Sequence, residues 1–167
     1  MEFYIYIKLK PYVRQWLVNK FGDGQSDWKI KFPHQSMENA FLKARLLTPP
    51  EGYMPGIREE DEVGIQIPDS PYKPSMKYNY LTQLDRDAVR SMIESMFDIA
   101  FKREMREDIE AGAKIKDSLL AWMHRNAVSM SNYENLKQQI NRMCMSYRKK
   151  GIELNPRKVF NKKSRKK

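Results

Sequence analysis

Ser131, Asn135, Gln138, Arg142 and Lys149 recur at steps of three, four and seven residues through SNYENLKQQINRMCMSYRKKG, residues 131–151. At the helical advance of about 100° per residue these positions form one stripe. Side chains of these types suit a particular chemistry. Amides pair bidentately with an adenine edge, a guanidinium pairs with guanine or a phosphate, and hydroxyl and ammonium groups reach phosphate oxygens. No Asp or Glu lies between Lys137 and Lys150, whereas an ordinary solvated helix mixes signs.

Such a stripe needs a helix to carry it and a buried face to hold it. Tyr133, Leu136, Ile140, Met143 and Tyr147 fall on the opposite side at apolar spacing, as expected of an amphipathic helix. Cys144 lies at the edge of that buried stripe and reads as a packing residue. Ser131 and Glu134 have the S-x-x-E spacing of a capping box, which predicts a helix start at that point.

Charge supports the same end of the chain. The net charge is +10, yet residues 1–140 carry 20 Lys+Arg against 20 Asp+Glu. Residues 141–167 carry 11 basic residues against the single acid Glu153, which accounts for the whole excess. A basic block of this kind attracts polyanions by counterion release. Lys149, Lys150, Arg157, Lys158, Lys162 and Lys163 are the candidate phosphate contacts, after Asn135, Gln138 and Arg142 as candidate base readers and Ser131 beside them. The expected partner is nucleic acid, double-stranded DNA in the first place.

Signals for an enzyme are weak. His34 and His124 have no second ligand at metal spacing, and the chain lacks H-x-H, G-x-x-x-x-G-K-[ST] and G-x-S-x-G. Pro68 and Asp69 follow a strand-like run, but no acid-x-Lys completes a nuclease site, so Asp69 reads as a turn former. The acids at 59–62 read as a solvated loop. No metal, cofactor or catalytic residue is expected. With one cysteine no internal disulfide can form, and MEFYIYIKLK alternates rather than forming a signal or a membrane span; a cytoplasmic protein with no membrane partner is the expectation.

The remaining elements follow from periodicity. FYIYIKL puts Phe3, Ile5, Ile7 and Leu9 on one face of a strand, and WKIKF (Trp28, Ile30, Phe32) and VGIQI (Val63, Ile65, Ile67) predict two more. MKYNYL is a further candidate strand. Tyr4, Tyr6, Tyr78 and Tyr80 could make a stacking surface on the sheet for single-stranded nucleic acid, although tyrosines in strands are more often structural. Pro11 and Gly22 bracket a helix over 11–21 with Val13, Trp16 and Leu17 inward. Ser36 caps a helix whose stripe reads Met37, Ala40, Phe41 and Ala44. Residues 48–74 hold six of nine prolines and predict a long loop. Thr82 and Asp85 open a long helix, with Ala88, Val89, Met92, Met96, Ile99 and Ala100 on one side and Phe97, Phe101, Met105 and Ile109 on the other. A helix near 114–125 directs Ile115, Leu119, Trp122 and Met123 inward before the loop NAVSM.

The stretch IKDSLLAWMHRNAVSMSNYENLKQQINRMCMSYRKKG resembles small helix-turn-helix-like DNA-binding proteins of bacterial mobile elements and prophages, about a quarter of the chain. The resemblance implies a noncatalytic regulatory or accessory DNA-binding factor with Asn135, Gln138 and Arg142 as readers. NAVSM is longer than the tight turn of that motif. The expected fold is α+β: a small sheet with flanking helices and the 48–74 loop in residues 1–81, a connecting helix over 82–112, a helical helix-turn-helix-like module over 113–154, and a disordered basic tail over 155–167. The alternative is a protein-interaction module, with its partner on the N-terminal domain and a basic end that adds only nonspecific nucleic-acid affinity.

Overall fold

The computed structural model describes residues 1–158. The fold is α+β. Its elements in order are β1 (Tyr4–Lys8), α1 (Pro11–Phe21), β2 (Lys29–Ile30), α2 (Met37–Arg45), β3 (Glu62–Gln66), α3 (Gln83–Glu110), α4 (Ile115–Arg125), a 3-10 turn over Met130–Asn132 and α5 (Tyr133–Lys149). The chain forms two compact units, Met1–Met96 and Phe97–Lys167, and the division falls within α3. Among the described residues no helix is long and apolar enough to cross a membrane.

In the first unit the sheet order is β1-β3-β2, with β1 antiparallel and β2 parallel to the central β3. The register places Ile5 against Ile65 and Ile7 against Val63. All four are buried, so the alternation in both strands puts one row of apolar side chains on the inner face. Tyr12, Val13, Trp16 and Leu17 of α1 are buried, with Leu42 and Leu46 among the rest of this core. Gly22 ends α1 in an extended conformation, and a Cβ there would stand 2.3 Å from the Val18 carbonyl oxygen.

Three expectations for this unit need correction. WKIKF yields only a two-residue strand, Lys29–Ile30, paired with β3 on one side and on the other tied to the end of α1, where Lys31 N–H donates to the Phe21 carbonyl at 3.1 Å. Ile30 and Phe32 are buried as expected, but Trp28 does not join them; it lies over Gly64 on the opposite face. MKYNYL makes a single bridge, Tyr80 to Leu47, and no strand. The third correction concerns α2, where Met37 is 87% exposed and Ala40 and Ala44 are exposed while Asn39 and Leu42 are buried. Leucine has more apolar area to remove from water than alanine, and Asn39 is held inward by its Nδ2 donating to the His34 carbonyl at 2.9 Å. Ser36 does cap α2, accepting from Asn39 N–H at 3.1 Å.

Helix α3 starts where its sequence predicts, with Asp85 N–H donating to Thr82 Oγ1 at 3.1 Å. Its apolar face differs from the two opposed faces expected. Val89, Ile93, Phe97, Phe101, Met105 and Ile109 are all at most 3% exposed, at strict four-residue steps, while Ile99 is 63% exposed. Four residues advance slightly more than one turn, so the ridge rotates by about 40° per step.

β1 is an edge strand. Ile5 and Ile7 bond inward, so the carbonyls of Tyr6 and Lys8 point away from β3. Arg86 Nη1 donates to the Tyr6 carbonyl at 2.8 Å and Arg90 Nε to the Lys8 carbonyl at 3.0 Å. Side-chain donors thereby occupy positions where another strand would pair. Replacing both arginines by alanine is expected to produce concentration-dependent self-association in sedimentation velocity. Arg86→Met alone is expected to lower stability in urea by about 1–3 kcal/mol. A double variant that stays monomeric at all concentrations would show that the edge is protected by other means.

Candidate nucleic-acid interface

The second unit builds the candidate interface from its core outward. Trp122 of α4 is 1% exposed and packs edge-on to Phe101 at 4.7 Å and to Phe97 at 5.9 Å. Ser118, also buried, donates its hydroxyl to the Asp108 carboxylate and lies 3.7 Å from Met105 Sδ. α4 then ends in a Schellman turn: Val128 N–H donates to the Met123 carbonyl at 3.0 Å and Ala127 N–H to that of His124 at 3.3 Å. The left-handed position of this turn is filled by Ala127 at φ 53°, the one non-glycine residue with positive φ among those described. Val128 and Met123, at the positions where such turns carry apolar side chains, are both buried.

The expected capping box is not formed. Met130–Asn132 wind into a 3-10 turn, the N-cap is Asn132, and Ser131 pairs with Ser129 at 2.8 Å while Glu134 is exposed in the first turn. The 3-10 turn competes for the backbone donors that the box would have used. The connection from Asn126 to Asn132 is therefore longer than the roughly 3–4-residue turn of a helix-turn-helix.

α5 has the two faces that its spacing predicts. Leu136, Ile140, Met143 and Cys144 are buried, and Tyr133 and Tyr147 are half-buried. Arg106 Nη1 donates to the Tyr147 hydroxyl at 2.9 Å. Burial pushes the Cys144 thiol above its usual range, which suits a packing role.

Ser131, Asn135, Gln138, Arg142, Lys149 and Lys150 are all exposed. The helix therefore brings Asn135, Gln138, Arg142 and Lys149 together on one accessible face, with Ser131 displaced into the preceding turn. Asn135 Oδ1 accepts from Gln139 Nε2 at 2.8 Å, which orients its amide. Among the described residues no ion pair involves Arg142, Lys149 or Lys150. Met145, 53% exposed, lies in the same stripe between Arg142 and Lys149; its helical phase marks the position, but its apolar character hides it from a search for polar readers.

The basic end continues from this helix. Glu153, its single acid, is bound by Arg148 Nε at 2.8 Å, and that contact together with Asn155 N–H holds the carboxyl below its usual range. Leu154 is buried, which anchors the chain after α5. Arg157 and Lys158 are exposed; Arg157 N–H donates to Asn155 Oδ1 at 3.0 Å. The tail expected to be disordered from 155 starts in a helical turn over 156–158, and residues 159–167, Lys162 and Lys163 among them, lie outside the described residues.

Asp69 accepts from Ser75 N–H at 2.7 Å, and this bond holds its carboxyl below the usual range, as for a turn former. Among the described residues no group of three His, Cys, Asp or Glu side chains could hold a metal ion.

Leu136→Ala is expected to cost about 2–5 kcal/mol in urea denaturation, and Arg142→Ala to stay within about 0.5 kcal/mol of the parent. The reverse ranking would mean that the helix faces are inverted. Ala127→Gly is expected to raise stability by up to about 1 kcal/mol, because the left-handed penalty of about 1–2 kcal/mol exceeds the backbone entropy cost of glycine. An unchanged or lower midpoint would contradict the turn geometry.

Comparison of the chain with protein-family models, with curated proteins and with solved structures finds no match in any of the three. Its function has to be read from the residues and geometry described above.

Proposed function

We propose that this chain is a noncatalytic, cytoplasmic DNA-binding protein, acting as a regulatory or accessory factor of a mobile element. The observation that carries the reading is the exposed face of α5, free of acids from Lys137 onward, with Asn135, Gln138, Arg142 and Lys149 on one side and Leu136 and Ile140 buried on the other. A rigid helix with amide and guanidinium groups facing solvent suits base edges in a major groove. Lys149, Lys150, Arg157 and Lys158 extend the positive surface beyond it, and the Arg148 contact offsets the sole acid of that end. Phosphate contacts would set affinity and the amide-guanidinium stripe would set preference.

A second reading, a protein-interaction module, is favoured by exposed apolar side chains in the first unit. Met54 is 85% exposed, Ile57 93%, Tyr72 96% and Met76 76%. On that reading the basic end adds only nonspecific affinity.

Mobility shifts with duplex and single-stranded probes at several salt concentrations separate the two readings. Arg142→Ala is expected to weaken binding to a selected duplex by about 1–3 kcal/mol while leaving a random duplex nearly unchanged. Deleting residues 155–167 is expected to flatten the slope of log affinity against log salt by about 0.9 for each phosphate that those residues neutralise, equally for all sequences. Equal slopes for full-length and truncated protein, with no effect of Arg142→Ala, would sink the DNA reading in favour of the interaction module.

A further inference from the structure

We propose that the outer face of the three-stranded sheet is a second nucleic-acid site, which holds single strands by stacking unpaired bases on Trp28, Tyr6 and Tyr4 with Lys29 at the phosphates. This goes beyond the reading of α5: it concerns the other unit and another form of nucleic acid.

The register sets Tyr6, Gly64 and Lys29 in one row across β1, β3 and β2, on the face opposite Ile5, Ile65 and Ile30. Gly64 leaves the middle of that row without a side chain, and Trp28 fills the space. A Cβ on Gly64 would stand 2.7 Å from the Trp28 ring and 3.2 Å from the Tyr6 ring. Tyr4 and Tyr6 lean on Trp28 at 5.8 and 6.2 Å, tilted by 60° and 50°. All three rings are half-exposed, whereas Trp16 and Trp122 are 3% and 1% exposed. Of the four tyrosines in the sequence-based stacking surface, Tyr4 and Tyr6 share this face. Tyr80 packs against Tyr53 at 4.9 Å, and the platform's main ring, Trp28, is one that strand alternation alone would place in the core.

Cations border the rings. Lys29 Nζ is 5.0 Å from the Trp28 ring centre and 5.4 Å from that of Tyr4, and Arg58 Cζ is 5.0 Å from Trp28. Arg58 is fixed by donating to the carbonyls of Glu59 and Glu62, both at 3.1 Å, so it is a stationary charge over the Trp28 ring. Nearby carboxylates are turned to local donors: Glu2 accepts from the Tyr4 hydroxyl at 2.7 Å and Glu62 from Glu59 N–H at 2.8 Å. Burial and then the contact with Glu2 push the Tyr4 hydroxyl up to about 12, so it adds no negative charge at neutral pH. Aromatic rings bordered by fixed cations suit unpaired bases on a phosphate chain, because every base has a face to stack and every link a negative charge.

Tryptophan emission tests this in the full-length chain, since a stacked base can reach only Trp28 of the three tryptophans. Oligothymidylate and oligouridylate of about twelve nucleotides, long enough for one stacking site, are each titrated beside a duplex of the same length; the first two distinguish DNA from RNA. Saturable quenching by a single strand and none by the duplex is expected. Trp28→Leu should remove the quenching and weaken single-strand binding about 5- to 100-fold, with Trp28→Phe retaining part of the affinity. Should Trp28→Leu not fold, Lys29→Gln gives an independent result, a salt slope lower by about 0.7 for the single strand. Single strands that bind without any change in emission, or with an affinity indifferent to Trp28 and Lys29, would overturn the proposal and leave the α5 reading untouched. Weaker binding of the selected duplex by Arg142→Ala with single-strand quenching intact would show that the two sites are separate.

Discussion

The four-residue spacing of apolar side chains along α3 is the constraint on which most of the structure rests. A strict four-residue step outruns the 3.6-residue turn, so the ridge cannot stay on one side of the helix. Its early members, Val89 and Ile93, belong to the first unit and its later members, Phe97 to Ile109, to the second, and all are buried. One helix thus contributes core residues to both units. The neighbouring positions Met92, Met96 and Ala100 are only half-buried, and Ile99 is exposed. The helix ends at a left-handed Gly112, φ 92°, which lets Ala113 N–H return to the Asp108 carbonyl at 3.0 Å.

The same helix solves a problem that the small sheet creates. Three strands leave an edge at β1 whose carbonyls would otherwise invite another strand, and two arginines of α3 occupy them. The outer face is handled differently. It carries a tryptophan laid on a glycine, flanked by tyrosines and cations. In the loop beside it Asp61 pairs with Lys8 at 2.7 Å, and Arg14 binds the backbone carbonyl of Glu60. The acidic run at 59–62 thus serves as an anchor for the loop, tied down by backbone and side-chain contacts.

Electrostatics divides the molecule in the way its sequence suggests. Balanced charge in residues 1–140 allows pairs such as Arg45 with Asp85 at 3.8 Å and Arg125 with Glu104 at 3.8 Å. Past Lys137 acids run out, and apart from Arg148, which holds Glu153, the exposed cations of α5 lack partners of opposite sign among the described residues. Surface pairs contribute little to stability, so this asymmetry matters for encounter with polyanions rather than for folding.

Much of this is legible in the sequence wherever one local rule acts alone. The alternation of Ile5 and Ile7, the Ser36 and Thr82 caps, and the buried and exposed stripes of α5 each follow from period and residue type within a few neighbours. The +10 block is likewise a property of the chain order. Tertiary structure decided the cases in which two elements compete for one group. Trp28, just before β2, lays its ring in the space beside the side-chain-free Gly64 on the outer face instead of joining Ile30 in the core. The inward face of α2 was decided by leucines competing with alanines for the core, and the α5 start by a 3-10 turn that displaced the capping box. Hydrogen-bond partners distant in sequence and the space beside a glycine are set by where other elements lie, and no local spacing encodes them.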